Sequence, residues 1–178
     1  MKTKDRNYFY EVVKYFYDFI KKNFISINWY ESSIGKKKIL RKKGIKLIVL
    51  KSKKGINKLN INEYFEKYQF KLERFRKGIN FLVLVNNKEF LSSGWIYYGR
   101  EWSISEIQKN IILKKQYLLF DFETPHNVRR KGYYTLLLKL IRYKYKNKKL
   151  VIYTQSNNAS SNKAIKKSGF KFVRKMYA

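Results

Sequence analysis

The segment that most constrains the fold is a strand-like run joined by a stiff turn to a helix-like run. "YLLFDFE" (117–123) is short and almost continuously apolar, which is typical of a buried strand. From about Tyr133 to Lys146 the apolar residues recur at helical spacing. Pro125, the only proline of the chain, lies between the two runs and ends the pairing of the strand. A strand that leads directly into a helix predicts a mixed α/β domain.

The rest of the pattern agrees with this fold class. It predicts an amphipathic helix (7–23), a basic loop (35–44), a strand (45–50), a helix (60–77), a hairpin (80–85 and 90–98), the strand–turn–helix, a strand (149–154), a short helix (159–169) and a last strand (170–176). We expect residues 1–58 to form an N-terminal unit of helix, basic loop and first strand. Residues 59–178 then form the main domain.

The N-terminal helix has a continuous apolar face. Its members are spaced as on one side of a helix: Phe9, Val12, Val13, Phe16, Phe19 and Ile20. Two roles are open for this face, namely packing on the domain and contact with an anionic membrane surface. No apolar run approaches the roughly 20 residues that span a bilayer, and the N-terminus lacks a secretory signal. We therefore expect a cytoplasmic protein, with the inner face of the membrane as the alternative location.

Composition excludes several kinds of site. The chain has no cysteine, one histidine and 12 acidic residues, so it lacks disulfides and the usual ligands of a catalytic metal. The formal net charge of +30 suggests an anionic partner, although lysines are scattered over nearly every segment, as an AT-rich genome would produce. A nucleic-acid-binding module is the alternative that this charge raises. Against it, most aromatic residues follow the periodicity of a core and no known reader motif is present.

The turn itself has the character of an anion site. Where a strand opens into a helix, the first N–H groups of the helix are free and the positive end of its dipole faces the turn. Arg129, Arg130 and Lys131 add charge, and Gly132 lets the backbone approach a ligand closely. The turn is therefore a candidate cradle for a pyrophosphate.

Two motifs together resemble the GNAT superfamily of acetyl-CoA-dependent N-acyltransferases. Arg129 and Gly132 fit its phosphate-binding signature of Arg or Gln, two free positions, Gly, one free position, then Gly or Ala, although Tyr134 occupies the last slot. The later signature is met by Asn158, Ser161, Lys167, Gly169 and Phe170. Thr124, Tyr134, the Gly94-Trp95 pair and a reversed Pro125-His126 pair resemble the branch associated with surface-polysaccharide synthesis.

The resemblance implies a fold, a cofactor and a reaction. The fold would have a mixed, mostly antiparallel central sheet flanked by helices, in which the strands near 116–124 and 149–154 splay apart. The co-substrate would be acetyl-CoA, with no metal, and an amine would attack the thioester directly. The residues implied to hold acetyl-CoA are Phe122, Thr124, Arg129, Arg130, Lys131, Gly132, Tyr133, Tyr134, Asn158 and Ser161.

The acceptor and the general base are less constrained by the sequence. The resemblance implies a small amine, either an amino sugar or its anionic nucleotide- or lipid-linked form, with a protein amine as the alternative and a dimer as one possible assembly. Asp121 and Glu123 share one face of a strand, and with Glu106 they are the candidate bases, in the order Asp121, Glu123, Glu106. Burial is expected to raise the pKa of such a carboxylate. Ile165 occupies the usual place of a tyrosine acid, which leaves Tyr134 as the candidate acid.

Overall fold

A computed structural model describes residues 11–16, 19, 25–32, 44–56, 59, 65–66, 68–87 and 89–178. Its strands are β1 (Ser26–Ser32), β2 (Ile45–Leu50), β3 (Asn80–Asn86), β4 (Glu89–Tyr98), β5 (Glu101–Ile104), β6 (Lys109–Ile112), β7 (Tyr117–Glu123), β8 (Leu150–Gln155) and β9 (Phe170–Tyr177). The two helices that follow β7 and β8 are α1 (Tyr133–Lys144) and α2 (Ala159–Lys167), and a 3-10 helix covers Gln69–Lys77.

The core of the fold is a seven-stranded sheet in the order β2-β3-β4-β7-β8-β1-β9. All neighbours pair antiparallel except β7 and β8, which are parallel because α1 connects them. The expected mixed, mostly antiparallel sheet with flanking helices is therefore confirmed. β5 and β6 form a separate two-stranded hairpin.

Each face of the sheet buries its own apolar cluster. On one face, the rings of Phe65, Phe81 and Trp95 pack together below the 3-10 helix. On the other face, Leu137 and Ile141 of α1 are fully buried against the sheet. Because both faces are covered, strands such as β3 are apolar at nearly every position instead of alternating.

An N-terminal strand completes the sheet. β1 lies between β8 and β9 and pairs antiparallel with both of them. Its side chains serve both faces, with Ile27 and Trp29 in one cluster and Tyr30 in the other. The sequence predicts no strand at this position, so β1 is an element that only the structure reveals.

Most predicted elements are confirmed, with differences of a few residues at their ends. The helix expected over 60–77 differs in kind, because the described part beyond Tyr68 is a 3-10 helix that ends at Gly78 with a φ of 70°. The segment 101–112, for which the sequence pattern predicts neither a helix nor a strand, is the β5–β6 hairpin with a 3-10 turn between its strands.

The N-terminal helix is described only in part. Residues 11–16 are helical, and Phe9, Ile20 and the start of the 60–77 helix lie outside the described residues. Val12, Val13 and Phe16 are exposed, so this part of the apolar face is not buried against the domain. Contact with a membrane surface stays a prediction. None of the helices that the structure describes is long and apolar enough to cross a membrane.

Candidate active site

The pairing between β7 and β8 ends about halfway along the two strands. The two strands pair only from Tyr117–Leu150 to Leu119–Ile152, although both continue for at least three residues beyond that point. β7 remains paired with β4 up to Glu123, and β8 remains paired with β1 up to Gln155. The facing edges of their last residues therefore have no ladder partner, and the expected splay is confirmed.

A bulge in β7 lies beside this opening. Ser93 pairs with Glu123 while Trp95 pairs with Phe120, so three steps along β7 oppose two steps along β4. The extra residue is accommodated at Asp121, which has a left-handed φ of 49°. The ring of Phe122 then lies over Gly94, where an added Cβ would come within 2.3 Å of that ring. A glycine at this position is therefore required by packing.

The opening leads into a cleft of about 790 Å³ that is lined from both faces of the sheet. Phe122 and Tyr134 pack with the cluster under α1, whereas Phe120, Trp102 and Tyr153 pack with the opposite cluster. The lining also includes the start of α2, the 3-10 helix and the turn after β5. A cleft of this kind can admit two reactants from opposite sides of the sheet.

Asp121 is held by two cations from the 3-10 helix. Its Oδ2 lies 3.0 Å from Lys71 Nζ and 2.5 Å from Arg74 Nη1. Burial alone would raise the pKa of Asp121, but the hydrogen bonds from Arg74 and Lys71 outweigh it and the pKa is lowered. The expectation of a raised pKa is therefore wrong for Asp121. A more acidic carboxyl is a weaker base, so its role as the base stays a prediction with less support.

The other two candidate carboxylates are less tightly bound. Glu123 is near the same lysine, with its Oε2 4.0 Å from Lys71 Nζ, and its Oε1 accepts from Tyr68 Oη at 3.4 Å. The expected grouping of Asp121 and Glu123 on one side of β7 is thus observed. Glu106, in the turn after β5, lines the same cleft and accepts a hydrogen bond from the Ser105 hydroxyl at 3.2 Å.

Two tyrosines lie near the point where the strands separate. Burial raises the pKa of Tyr134, and contact with the Ser161 hydroxyl opposes this only in part. Burial also raises the pKa of Tyr153 to about 12, a shift to which the nearby carboxylates of Glu106 and Asp121 contribute. Both phenols are therefore protonated at neutral pH and can donate a proton. Tyr153 was missed by sequence reasoning, because nothing in "KLVIYT" distinguishes it from a core aromatic residue.

The basic turn joins β7 to α1 in an open conformation. Pro125 leads into a 3-10 turn (His126–Val128), and Arg129 donates from Nε to the Thr124 carbonyl at 2.9 Å. Thr124 also shares a hydrogen bond with Ser92 at 2.9 Å between the hydroxyl oxygens. Arg129 therefore fixes the exit of the strand as well as adding charge to the turn.

Gly132 caps the start of α1 in a conformation that favours glycine. Its φ is 79°, and no atom lies within 4 Å of the place where a Cβ would be. Arg130 and Lys131 before it are exposed, and Tyr133 is the first residue of the helix. The first N–H groups of a helix lack intrahelical acceptors, and the space beside Gly132 is open, a combination that suits an anionic ligand. None of these four residues is part of the lining of the cleft.

Asn158 and Ser161 lie together at the start of α2. The Asn158 Oδ1 accepts from the Ser161 backbone N–H at 3.1 Å, so Asn158 is the N-cap of this helix. Both residues also line the cleft. The two matched positions of the motif therefore have a structural role, and their expected role in binding acetyl-CoA stays a prediction.

Asn162 was missed by sequence reasoning. Its Nδ2 donates to the carbonyls of three residues that lead into α2, namely Gln155, Ser156 and Asn158. Its Oδ1 accepts from Asn28 and Tyr30 on β1. One side chain thus ties the inserted strand to the wall of the cleft. The feature of the sequence that could have pointed to Asn162 is its position directly after Ser161 of the motif.

Comparison with known proteins identifies the fold. No protein-family model matches the sequence, and no curated protein is significantly similar to it. A GNAT-family acetyltransferase from Colwellia psychrerythraea matches with a TM-score of 0.53 and 13% identity, over 84% of this chain and 53% of its own. A GCN5-related N-acetyltransferase from Sphaerobacter thermophilus matches with a TM-score of 0.53 and 7% identity, over 86% of this chain and 50% of its own.

A further match is a tandem GNAT protein from the clavulanic acid biosynthesis pathway, with a TM-score of 0.53 and 9% identity, over 85% of this chain and 51% of its own. This chain thus spans about half the length of these solved proteins. In the described part of the chain, no group of three His, Asp or Glu side chains could hold a metal ion. The sheet order, the splayed strands and these matches together show that the chain has the fold of the GNAT acetyltransferases.

Proposed function

We propose that this chain is an N-acetyltransferase that moves the acetyl group of acetyl-CoA to the primary amine of a small acceptor. The observation that carries the proposal is the ladder between β7 and β8 that ends at Leu119 and Ile152. An extended arm that contains amide groups, such as pantetheine, can pair with the free edge of β7 as an added strand does. The thioester at its end would then lie at the bulge, where both reactants can meet.

The turn before α1 suits the other end of the same molecule. The helix start offers free N–H groups and its dipole, Gly132 leaves space for the phosphates, and Arg130 and Lys131 add positive charge. This turn follows β7 directly in the chain, and the last residues of β7 line the cleft. Acetyl-CoA therefore fits with its pyrophosphate at Gly132 and its arm along Phe122 and Thr124.

The reaction needs one proton acceptor and one proton donor. The nitrogen of the neutral amine forms a bond to the acetyl carbon, the carbon–sulfur bond breaks, and the amine proton passes to a carboxylate. Glu106 and Glu123 are the carboxylates that suit this step, because Asp121 is engaged by Lys71 and Arg74. A protonated phenol, Tyr134 or Tyr153, can donate to the departing thiolate, and backbone N–H groups of β7 can stabilise the oxyanion.

The acceptor that we propose is an amino sugar or its nucleotide- or lipid-linked form. Support comes from the resemblance of Thr124, Tyr134 and the Gly94-Trp95 pair to the branch associated with surface-polysaccharide synthesis. A protein amine remains the alternative acceptor within the same chemistry.

The first prediction tests the binding of acetyl-CoA. Gly132→Glu places a carboxylate where the phosphates would lie, so we expect the Kd for acetyl-CoA, measured by calorimetry, to rise at least about 100-fold, or roughly 2.8 kcal/mol. Gly78→Glu is the matched control, because Gly78 also has a positive φ of 70° and open space around its Cβ position. The control separates backbone strain from loss of the ligand site. Equal affinity in Gly132→Glu and the parent would rule out this placement of acetyl-CoA.

A further inference from the structure

One wall of the cleft is a row of cations whose alignment depends on the type of helix. In a 3-10 helix, side chains three positions apart lie directly above one another, because each turn contains three residues. Lys71, Arg74 and Lys77 have this spacing within Gln69–Lys77, and all three line the cleft. In an α-helix the same residues would drift around the axis by about 60° at each step. The 3-10 conformation is therefore what directs the three cations to one place.

Two cations of this row, Arg74 and Lys77, are not fully used by ion pairs within the described part of the chain. Arg74 Nη1 donates to Asp121 Oδ2, and its guanidinium lies over the rings of Trp95 and Phe120, at 5.0 and 5.2 Å from their centroids. The guanidinium has five N–H donors, so the Asp121 contact leaves most of them available. Lys77 is exposed and forms no ion pair among the described residues. The two rings hold Arg74 in place, and Arg74 is part of the lining of the cleft.

The lining of the cleft also carries negative charge, at Glu106. Glu106 forms no ion pair with any described residue, and its Oε2 accepts a hydrogen bond from the neutral Ser105 hydroxyl. Trp102 and Tyr153 line the region next to it, joined by a hydrogen bond of 3.4 Å from Trp102 Nε1 to the phenol oxygen. The cleft thus has a carboxylate with no ion pair among the described residues, an aromatic patch, and two cations, Arg74 and Lys77, with donors beyond those used by the recognised ion pairs. A molecule with both an amine and an anionic group would complement all three.

We propose that the acceptor carries an anionic group, a carboxylate or a phosphate, which binds Lys77 and the free donors of Arg74 while its amine faces Glu106. This rests on the proposed acetyl transfer, and it makes Lys77 a residue that determines specificity. The charged acceptor is favoured because charge-assisted hydrogen bonds to Arg and Lys strengthen its binding. An uncharged amine would leave Lys77 without an ion-pair partner among the described residues.

Two matched pairs of amines test the proposal on the full chain with acetyl-CoA. The pairs are γ-aminobutyrate with its amide, and aminopropyl phosphate with aminopropanol. We measure kcat/KM from CoA release, and the Kd of each amine for the acetyl-CoA-loaded protein by calorimetry. We expect the parent to prefer at least one anionic member over its neutral match by about tenfold, and to lose most of that preference at high salt. The pair that shows the preference distinguishes a carboxylate from a phosphate.

Lys77→Gln should reduce this preference about three- to tenfold, since one exposed cation is lost and Arg74 remains. Lys46→Gln is the control, because Lys46 is an exposed lysine on β2 that does not line the cleft, and it should keep the parental preference. Equal kcat/KM and Kd within both pairs would overturn the anionic acceptor while leaving acetyl transfer intact. If acetyl-CoA itself failed to bind the parent, the proposed function would fail instead.

Discussion

Asp121 shows how a single residue can combine backbone strain with a structural ion pair. It has a left-handed φ of 49°, which Asp tolerates better than most residues because its short side chain can bond locally. Its carboxylate joins Lys71, whose side chain is only 7% exposed, to the bulge of β7. The charge of Asp121 therefore positions the cationic helix beside the cleft.

The second prediction separates this role from that of a base. Asp121→Asn keeps a residue that tolerates the left-handed conformation but removes the charge, so we expect the free energy of unfolding to fall by about 1.5–3 kcal/mol at pH 7. Because the folded pKa of Asp121 is lowered, its stabilisation is present above the unfolded pKa of about 4 and is lost as the pH falls through the folded pKa. The deficit of the variant should therefore shrink below about pH 4. Urea denaturation across pH measures it.

Glu73→Gln provides the matched control for this charge removal. Glu73 is paired with Arg76 at 2.8 Å, but both side chains are more than half exposed, so the loss should stay below about 1 kcal/mol. A different result would contradict the structural role of Asp121. If Asp121→Asn kept the parental stability but lost turnover by about 10²- to 10⁴-fold, with recovery at high pH, Asp121 would be the general base.

The inserted strand β1 is the element on which the wall of the cleft depends. It supplies the partner of β8 beyond the point where β7 separates, so β8 stays ordered without pairing to β7. Asn162 connects this strand to the segment that leads into α2. The position of Asn158 and Ser161 therefore depends on contacts between distant parts of the chain.

The third prediction concerns this connection. Asn162→Ala removes all of these side-chain hydrogen bonds and leaves Tyr30 Oη and Asn28 Nδ2 without this acceptor, so we expect a loss of about 2–3 kcal/mol in unfolding free energy. The KM for acetyl-CoA should rise several-fold while kcat changes less, because the loop that lines the cleft loosens. Asn157→Ala is the control, since Asn157 is exposed in the same loop and its structural contact is through the backbone carbonyl. Parental KM and stability in Asn162→Ala would contradict the assignment.

At the scale of the whole molecule, binding that depends on the net charge of +30 should respond to salt differently from binding at a local site. Scattered lysines attract any polyanion through long-range fields, and such binding falls steeply with salt because counterions are released. Acetyl-CoA, bound as we propose, would instead rely on backbone N–H groups and on pairing of its extended arm with β7. We therefore expect the two kinds of ligand to respond differently to ionic strength.

The fourth prediction uses thermal unfolding with each ligand. Stabilisation by single-stranded DNA should largely disappear between about 50 and 200 mM salt, whereas the shift with acetyl-CoA should persist. Gly132→Glu serves as the control, because it should lose the acetyl-CoA shift and keep the DNA shift at low salt. Strong stabilisation by DNA at high salt would instead favour the nucleic-acid-binding alternative.

The sequence by itself determined the local features of this protein. The strand–turn–helix, with Gly132 in the turn before α1 and a short helix after Asn158, follows from local rules for turns and periodicity, and these features are present in the structure. Only the tertiary structure decided where β1 pairs, because strand pairing depends on contacts across more than 100 residues. It also decided that Lys71 and Arg74 lie against Asp121 and lower its pKa. These contacts join elements far apart in the chain, and no local pattern encodes such a distance.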